Sequence, residues 1–410
     1  MSEFYTGLEL GTDSVKLVVT EKKDDKYSVL AATSCISNGI KNGQVIDIKA
    51  CANSIKLCVN QVEEMLDFQV KKVIAALSPT NCKMDIVVGN CDVENPSSIV
   101  GSDISKVLNA AIKGYNNEGY EIVTVTPITF TVDDNDNIKD PKGMSGSVLE
   151  AKVVVSSIPK ESLYKALEAI KLAGLITIDV AFTSTGDYFS SLDNVLDNSV
   201  GAIINIGETS TNVSIFNKGI QIKHSLLPVG SLNVDKDLSY IFQIDLSDSR
   251  KIKECFALAS IDYADETEKI DIVRKDGEKR EINQIGVSKV VEARISEILK
   301  LSKNEIKNLT NREISYIIVT GGLSELQGFD SLVDSEFNGL AKVCKISTIG
   351  LRHNKYSSAF GVTKYFDDKL TLRGKSYNMI DEDDKETLTS TENKLSDYDV
   401  FGNVYGHLFD

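Results

Sequence analysis

ELGTDS, residues 9–14, returns in altered form as NIGETS, residues 205–210: a polar residue, an apolar one, glycine, two further residues and serine. The offset from Gly11 to Gly207 equals that from Ser14 to Ser210. Each segment ends an apolar strand and runs into another apolar stretch, VKLVVT at 15–20 and TNVSIF at 211–216. Repetition on the scale of half a chain implies two related halves that face one another.

Phosphate chemistry suits such a pair. A glycine in a tight turn between strands lets backbone N–H groups point into one concavity, which forms an anion nest. Thr12, Ser14, Thr209 and Ser210 add hydroxyl donors, and Asp13, Glu208 and Thr211 complete the two turns. Lys16 can reach a β- or γ-phosphate as a point charge. Glu9 and Asn205, the polar residues before the glycines, would flank a magnesium ion through its waters. One turn of this kind is ordinarily only a hairpin; two in matched context favour a polyphosphate pincer. A third segment, IIVTGGL at 317–323, runs a strand into Gly321-Gly322, where missing side chains let backbone approach a ring or a ribose. Taken alone, that feature is a turn.

At 410 residues the chain is too long for one ordinary core, so two or more domains are expected. Its formal charge of −15 leaves no broad face to neutralise phosphates, which argues against nucleic acid as a partner and against membrane attachment by charge alone. The seven cysteines include no C-x-x-C pair and imply free buried thiols rather than disulfides or a zinc site. MSEFYTGLELG has no signal pattern, and no apolar run reaches the ~18 residues of a membrane span, so a cytoplasmic chain is expected.

Strands and helices alternate, which predicts an α/β fold. The run 8–20 reads as two strands around the first turn. Apolar residues at Ile48, Cys51, Ile55, Val59, Val62 and Leu66 mark a helix face. Residues 78–156 turn rich in Asn, Asp and Gly around IVTVTPITFTV and LEAKVVVSSI, with a helix near 104–113, and read as a small inserted α+β unit. Pro159 opens a second helix that closes at Gly174. A strand at 200–206, a long helix at 286–309 and a strand at 314–320 follow. From Asp381 onward nine acidic and two basic residues read as a disordered linker, ending in YDVFGNVYGHLFD.

Two phosphate turns, a Gly-Gly turn and connecting helices resemble the actin, heat-shock chaperone and sugar kinase superfamily, and within it the FtsA family. GLELGTDSVKLVV resembles the first phosphate loop, GAIINIGETSTNVSIFNKG the second, IVTGGLSELQGF the adenosine loop and YSSAFGVTKY the final connecting helix. SNGIKNGQVIDIKACANSIKLCVNQVEE and DPKGMSGSVLEAKVVVSS are similar to stretches peculiar to FtsA. The resemblance implies a two-lobed actin-like ATPase fold with duplicated ribonuclease H-like subdomains and an inserted SHS2-type subdomain. Its expected boundaries are 1–80 with 157–185, 81–156, and 186–366, then an acidic linker at 367–394 and a tail at 395–410. It further implies ATP and magnesium binding, actin-like protofilaments of the chain with itself, and binding of the FtsZ C-terminal tail. Later division proteins would be recruited through residues 81–156, at the inner face of the cytoplasmic membrane.

The chain departs from that pattern at several points. Glu9 and Asn205 stand where the family usually has Asp, and an amide cannot take a proton from water, so slow or absent hydrolysis is expected. Where the family sets Glu three residues before Lys, this chain has Arg250 before Lys253; Lys253 is expected beside the base or ribose, Arg250 there or in solvent. In the tail, Tyr398, Phe401, Tyr405 and Leu408 form one apolar stripe with Val404 and Phe409 beside it, which suits an interfacial helix. That stripe lacks the usual basic residues, and Gly402 and Gly406 weaken it by about 1 kcal/mol each. A related reading is a PilM-like platform that binds a peptide of a membrane partner in pilus or secretion assembly, which the SHS2-like stretch disfavours.

Overall fold

A computed structural model describes residues 2–191 and 199–380. Its first sheet starts with the hairpin Glu3–Leu10 and Ser14–Lys23, in register from Glu3 opposite Lys22 to Leu10 opposite Val15, which leaves residues 11–13 as the turn. Both strands are almost wholly buried, and the burial includes the polar side chains of Glu9, Lys16, Thr20 and Glu21 that interrupt their apolar residues. Lys26–Ile36 adds to one side; Lys72–Leu77 and Ile176–Phe182 join in parallel on the other.

The second sheet repeats this plan. Val200–Ile206 and Thr211–Asn217 form the hairpin, Ile206 pairing with Thr211 around the second turn. Ile220–Leu227 adds antiparallel on one side, and Tyr316–Thr320 and Ala341–Val343 add in parallel on the other. Both sheets thus run antiparallel meander, then two parallel strands, in the same order. The duplication visible in two short turns extends through ten strands.

Helices cover these sheets with the apolar faces that their spacing predicts. Ile48–Leu66 is capped by Asp47, whose side chain accepts from the Ala50 amide, and buries Cys51, Ile55, Cys58, Val59 and Val62. Gln284–Leu309 is capped by Asn283 and buries Val287, Val291, Ile295 and Ile298 against the second sheet. The inserted unit is an antiparallel four-stranded sheet (Lys83–Asp92, Val148–Pro159, Tyr120–Val132, Asn135–Ile138) under the helix Gly101–Ile112, with its own core around Ile104, Val107, Phe130 and Leu149. All seven cysteines are free.

Two helices join the lobes. The first, Thr183–Ser190, follows the first sheet; the second, Ser357–Leu372, returns from the second. They cross where a Cβ on Gly361 would collide with the Gly186 carbonyl and one on Gly186 with the Ser358 carbonyl. A Cβ on Gly7 would likewise strike the Ala359 carbonyl, so the second helix also presses on the first sheet. This helix runs to Leu372, past the boundary at 366 read from the sequence. Asp367 is held by Tyr5, Lys22 and Tyr27, and Met379 and Ile380 are buried, so residues 367–380, expected in the acidic linker, belong to the folded body.

Gly361→Ala forces apart two backbones that are in contact. It should lower unfolding stability by about 1–3 kcal/mol, the usual range for overpacking. Urea titration followed by circular dichroism checks this, and an unchanged midpoint would show that the crossing has slack.

Candidate functional site

The turns at Gly11 and Gly207 open onto one cleft of about 470 Å³, a volume suited to a small-molecule ligand. The first lobe contributes Glu9, Gly11, Thr12, Asp13, Ser14 and Lys16 to its walls; the second contributes Asn205, Gly207, Glu208 and Ser210. Gly321, Gly322 and Lys253 line it as well. Thr211 does not: it is fully buried, and its hydroxyl donates to the Val229 carbonyl at 2.8 Å. It begins a strand whose alternation turns its side chain inward. Thr209 is also absent from the wall, its hydroxyl buried without a partner among the described residues.

Local bonding presets both turns. The Gly207 amide donates to the Ser210 carbonyl at 3.0 Å, and the carbonyls of Gly207 and Glu208 accept from the amides of Ser231 and Leu232 at 2.9 and 2.8 Å. With those carbonyls committed to the start of the helix Ser231–Phe242, the turn offers a ligand N–H and hydroxyl donors. In the first turn the Asp13 carbonyl accepts from Ser37, and the Thr12 hydroxyl oxygen accepts from the Gly43 amide at 2.9 Å, which leaves its hydrogen to donate. Gly321 sits at φ 107°, where a Cβ would collide with the Ile206 carbonyl, so glycine alone lets this loop lie against the second turn.

The charges in the cleft are largely prearranged. Lys16 Nζ donates to Glu9 Oε1 at 2.8 Å, while Glu9 Oε2 is buried with no partner among the described residues. Lys355, which no local sequence motif singles out, also lines the cleft. Burial, and then the charge of Lys16, holds its ammonium below the usual lysine range. Arg250 is half exposed but ion-paired: it contacts Asp13 of the opposite lobe and Glu254 at 3.0 Å, and lies 3.8 Å from Glu208. Burial, and then Asp13, raises the Glu208 pKa. Lys253 lines the wall, yet its ammonium lies 2.7 Å from Asp235 Oδ1, off the line of a well-formed hydrogen bond, with both side chains buried.

Asn205 has a partner that no sequence pattern announced. Its Nδ2 donates to Asp187 Oδ2 at 2.6 Å, and the hydroxyls of Ser357 and Ser358 donate to Asp187 Oδ1 at 2.6 and 2.7 Å. Asp187 is fully buried, and burial pushes its pKa up to about 6 against the pull of those donors, with Glu9 adding a smaller upward push. Phe401, Val404, Tyr405, Leu408 and Phe409 lie outside the described residues. Among the described residues no helix is long and apolar enough to cross a membrane.

Lys253→Met strands a buried carboxylate, which ordinarily costs about 3–5 kcal/mol. Lys253→Met combined with Asp235→Leu should recover most of that loss. Chemical denaturation of the single and double variants checks the pair, and equal stability of the two would show that Asp235 does not depend on Lys253.

Residues 202–361 match the family model described as cell division protein FtsA, and residues 80–157 match the model of the SHS2 domain inserted in FtsA. The chain is 26% identical over 395 residues to the cell division protein FtsA of Bacillus subtilis (strain 168), covering 95% of this chain and 90% of that protein. Among solved structures it is similar in fold to the PilM–PilN type IV pilus biogenesis complex (TM-score 0.58, 14% identity, 88% of this chain and 98% of that chain). It is similar in fold also to MreB 5 of Spiroplasma citri bound to AMPPNP (TM-score 0.55, 13% identity, 90% and 97%). Twin sheets of one strand order, a cleft between their facing turns, an inserted four-stranded unit that matches its own family model, and relatives aligned over nearly the whole length converge: the chain belongs to the FtsA family of actin-like cell division proteins.

Proposed function

We propose that the cleft binds ATP with a magnesium ion, and that this division protein forms actin-like filaments that attach the FtsZ ring to the cytoplasmic membrane. The observation that carries the nucleotide reading is the pair of glycine turns, one per lobe, facing a single cleft that also holds the Gly321-Gly322 turn. MreB 5 of Spiroplasma citri has the same fold and is described as bound to AMPPNP. Two lysines, Lys16 and Lys355, repel each other in the cleft, an arrangement that an anion between them would relieve.

The residues also suit a cation. Glu9 Oε2 is a buried acceptor without a partner among the described residues, and Asn205 lines the same cleft. Among the described residues no group of three or more His, Cys, Asp or Glu side chains converges as a metal site. Magnesium would therefore be held by Glu9, Asn205, its own waters and the phosphates, as is usual for this ion. When bound it would offset phosphate charge. The chain's own contribution is positional: turn amides and hydroxyls hold the phosphates, and Lys16 and Lys355 balance their charge. Position 205 supplies no base, and Asp187 behind it is sealed from solvent, so turnover should be slow.

Filament contacts, FtsZ-tail binding through the second lobe, recruitment of later division proteins through residues 81–156, and membrane contact through the stripe from Phe401 to Phe409 complete the proposal. They follow from family membership together with the apolar spacing of the tail.

Isothermal titration should detect ATP binding that depends on the cleft lysines. Lys355→Gln is expected to weaken it about tenfold, a change of ~1.4 kcal/mol. The ligand-free melting temperature should stay level or rise, since both burial and Lys16 oppose that charge. Undiminished affinity would remove Lys355 from the site, and no binding by the unaltered chain would remove ATP. A pull-down with an FtsZ C-terminal peptide, paired with liposome co-sedimentation of the full chain against a truncation at Asp397, tests the tether. The expected result is capture of the chain by the peptide and loss of sedimentation on truncation. Failure of the peptide to bind would favour a platform for a different membrane partner.

A further inference from the structure

An amide presents two opposite chemistries: a nitrogen that donates and an oxygen that accepts. Which of them Asn205 turns toward the cleft decides whether it helps to hold a cation or repels it. Asp187 makes that choice. An ionised carboxylate can only accept, so the nitrogen of Asn205 must face Oδ2, 2.6 Å away, and its oxygen is left for the cleft. The other carboxylate oxygen takes the Ser357 and Ser358 hydroxyls, so Asp187 cannot rotate without breaking three bonds. It stands on the first connecting helix, and the serines open the second. The orientation of Asn205 is therefore referenced to the helix crossing between the lobes, not to its own strand alone.

We propose that Asp187 is a positioning residue that supplies the negative charge missing from position 205 and locks the Asn205 oxygen toward the cleft, so that the pair replaces a single strand-borne carboxylate beside the magnesium ion of a bound nucleotide. The inference rests on the nucleotide reading of the cleft. It also explains why the acid is not simply lost: the carboxylate lies one hydrogen bond behind the amide, fully buried, with all its donors supplied by the protein. Asn205→Asp alone would then place two carboxylates at hydrogen-bonding distance, where one must keep a proton, and so would not create a working base.

Two isosteric exchanges test this without disturbing the packing. Asp187→Asn keeps an acceptor oxygen for Ser357 and Ser358 but sets its own nitrogen against that of Asn205. Asn205 must then turn over and point its N–H groups into the cleft. Combining Asp187→Asn with Asn205→Asp restores a donor–acceptor match and moves the charge forward by one hydrogen bond. The measurements are the affinity of the full chain for ATP with magnesium and with EDTA, and the ligand-free melting temperature. In the unaltered chain magnesium should tighten binding. Asp187→Asn should lose about tenfold or more of that tightening, in line with the effect of removing partners that orient metal ligands, with little change in EDTA or in melting. The double exchange should regain it. Full magnesium dependence in Asp187→Asn, an equal loss with and without magnesium, or no recovery in the double variant would overturn the role. An unaltered chain that binds ATP under neither condition would instead withdraw the nucleotide reading, and this inference with it.

Discussion

Two helices cross between the lobes with backbone against backbone, at Gly186 and Gly361, and the cleft takes its shape from that contact. No side chain intervenes to absorb a change in distance, so the gap between the turns at Gly11 and Gly207 is set by rigid elements. The residue after Gly186 is Asp187, and three residues before Gly361 is Ser358, so the polar knot behind Asn205 begins one step from the steric constraint. Thr320, at the end of the strand leading to Gly321, also hydrogen-bonds to Ser357 at 3.2 Å. Packing and polar bonding thus meet at one point, and both lobes' ligand-facing segments are tied to it.

Around that point the protein keeps its charges in local balance. Lys16 answers Glu9, Lys253 answers Asp235, and Arg250 bridges from the second lobe to Asp13 on the first. The last of these is half exposed and so contributes little to stability by itself. Its effect is geometric, since it spans the two lobes at the mouth of the cleft. What the protein leaves unbalanced is as informative as what it pairs. Among the described residues Glu9 Oε2 lacks a donor, and Lys355 is held near Lys16 with its charge disfavoured. Such frustration is tolerable where a ligand of mixed charge, anionic with a cation attached, completes the set.

Much of the architecture was legible because its signals are periodic and local. The helix at Ile48–Leu66 follows from apolar residues three and four apart behind an Asp cap, and the hairpins follow from apolar runs that flank a glycine turn. The end of the second connecting helix is not legible in the sequence, for the opposite reason. Asp367 is acidic and looks like the start of a charged linker, yet it is buried by Tyr5, Lys22 and Tyr27, residues some 340 or more positions away in the chain. Thr211 adjoins the turn in sequence, but the alternation of its strand carries the side chain into the core.

The sequence by itself determined the turns, their duplication, the strand and helix periods and the family, because each of these is written in neighbouring residues or in a repeat. It also showed that position 205 lacks an acid. Only the tertiary structure decided where the charge went, since Asp187 reaches Asn205 through a helix that no local pattern links to that strand. It likewise decided that Arg250 serves as a bridge between lobes and that Lys355 joins the cleft. These are pairings between distant segments, set by how two lobes close on a helix crossing, and a linear pattern carries no record of such distances.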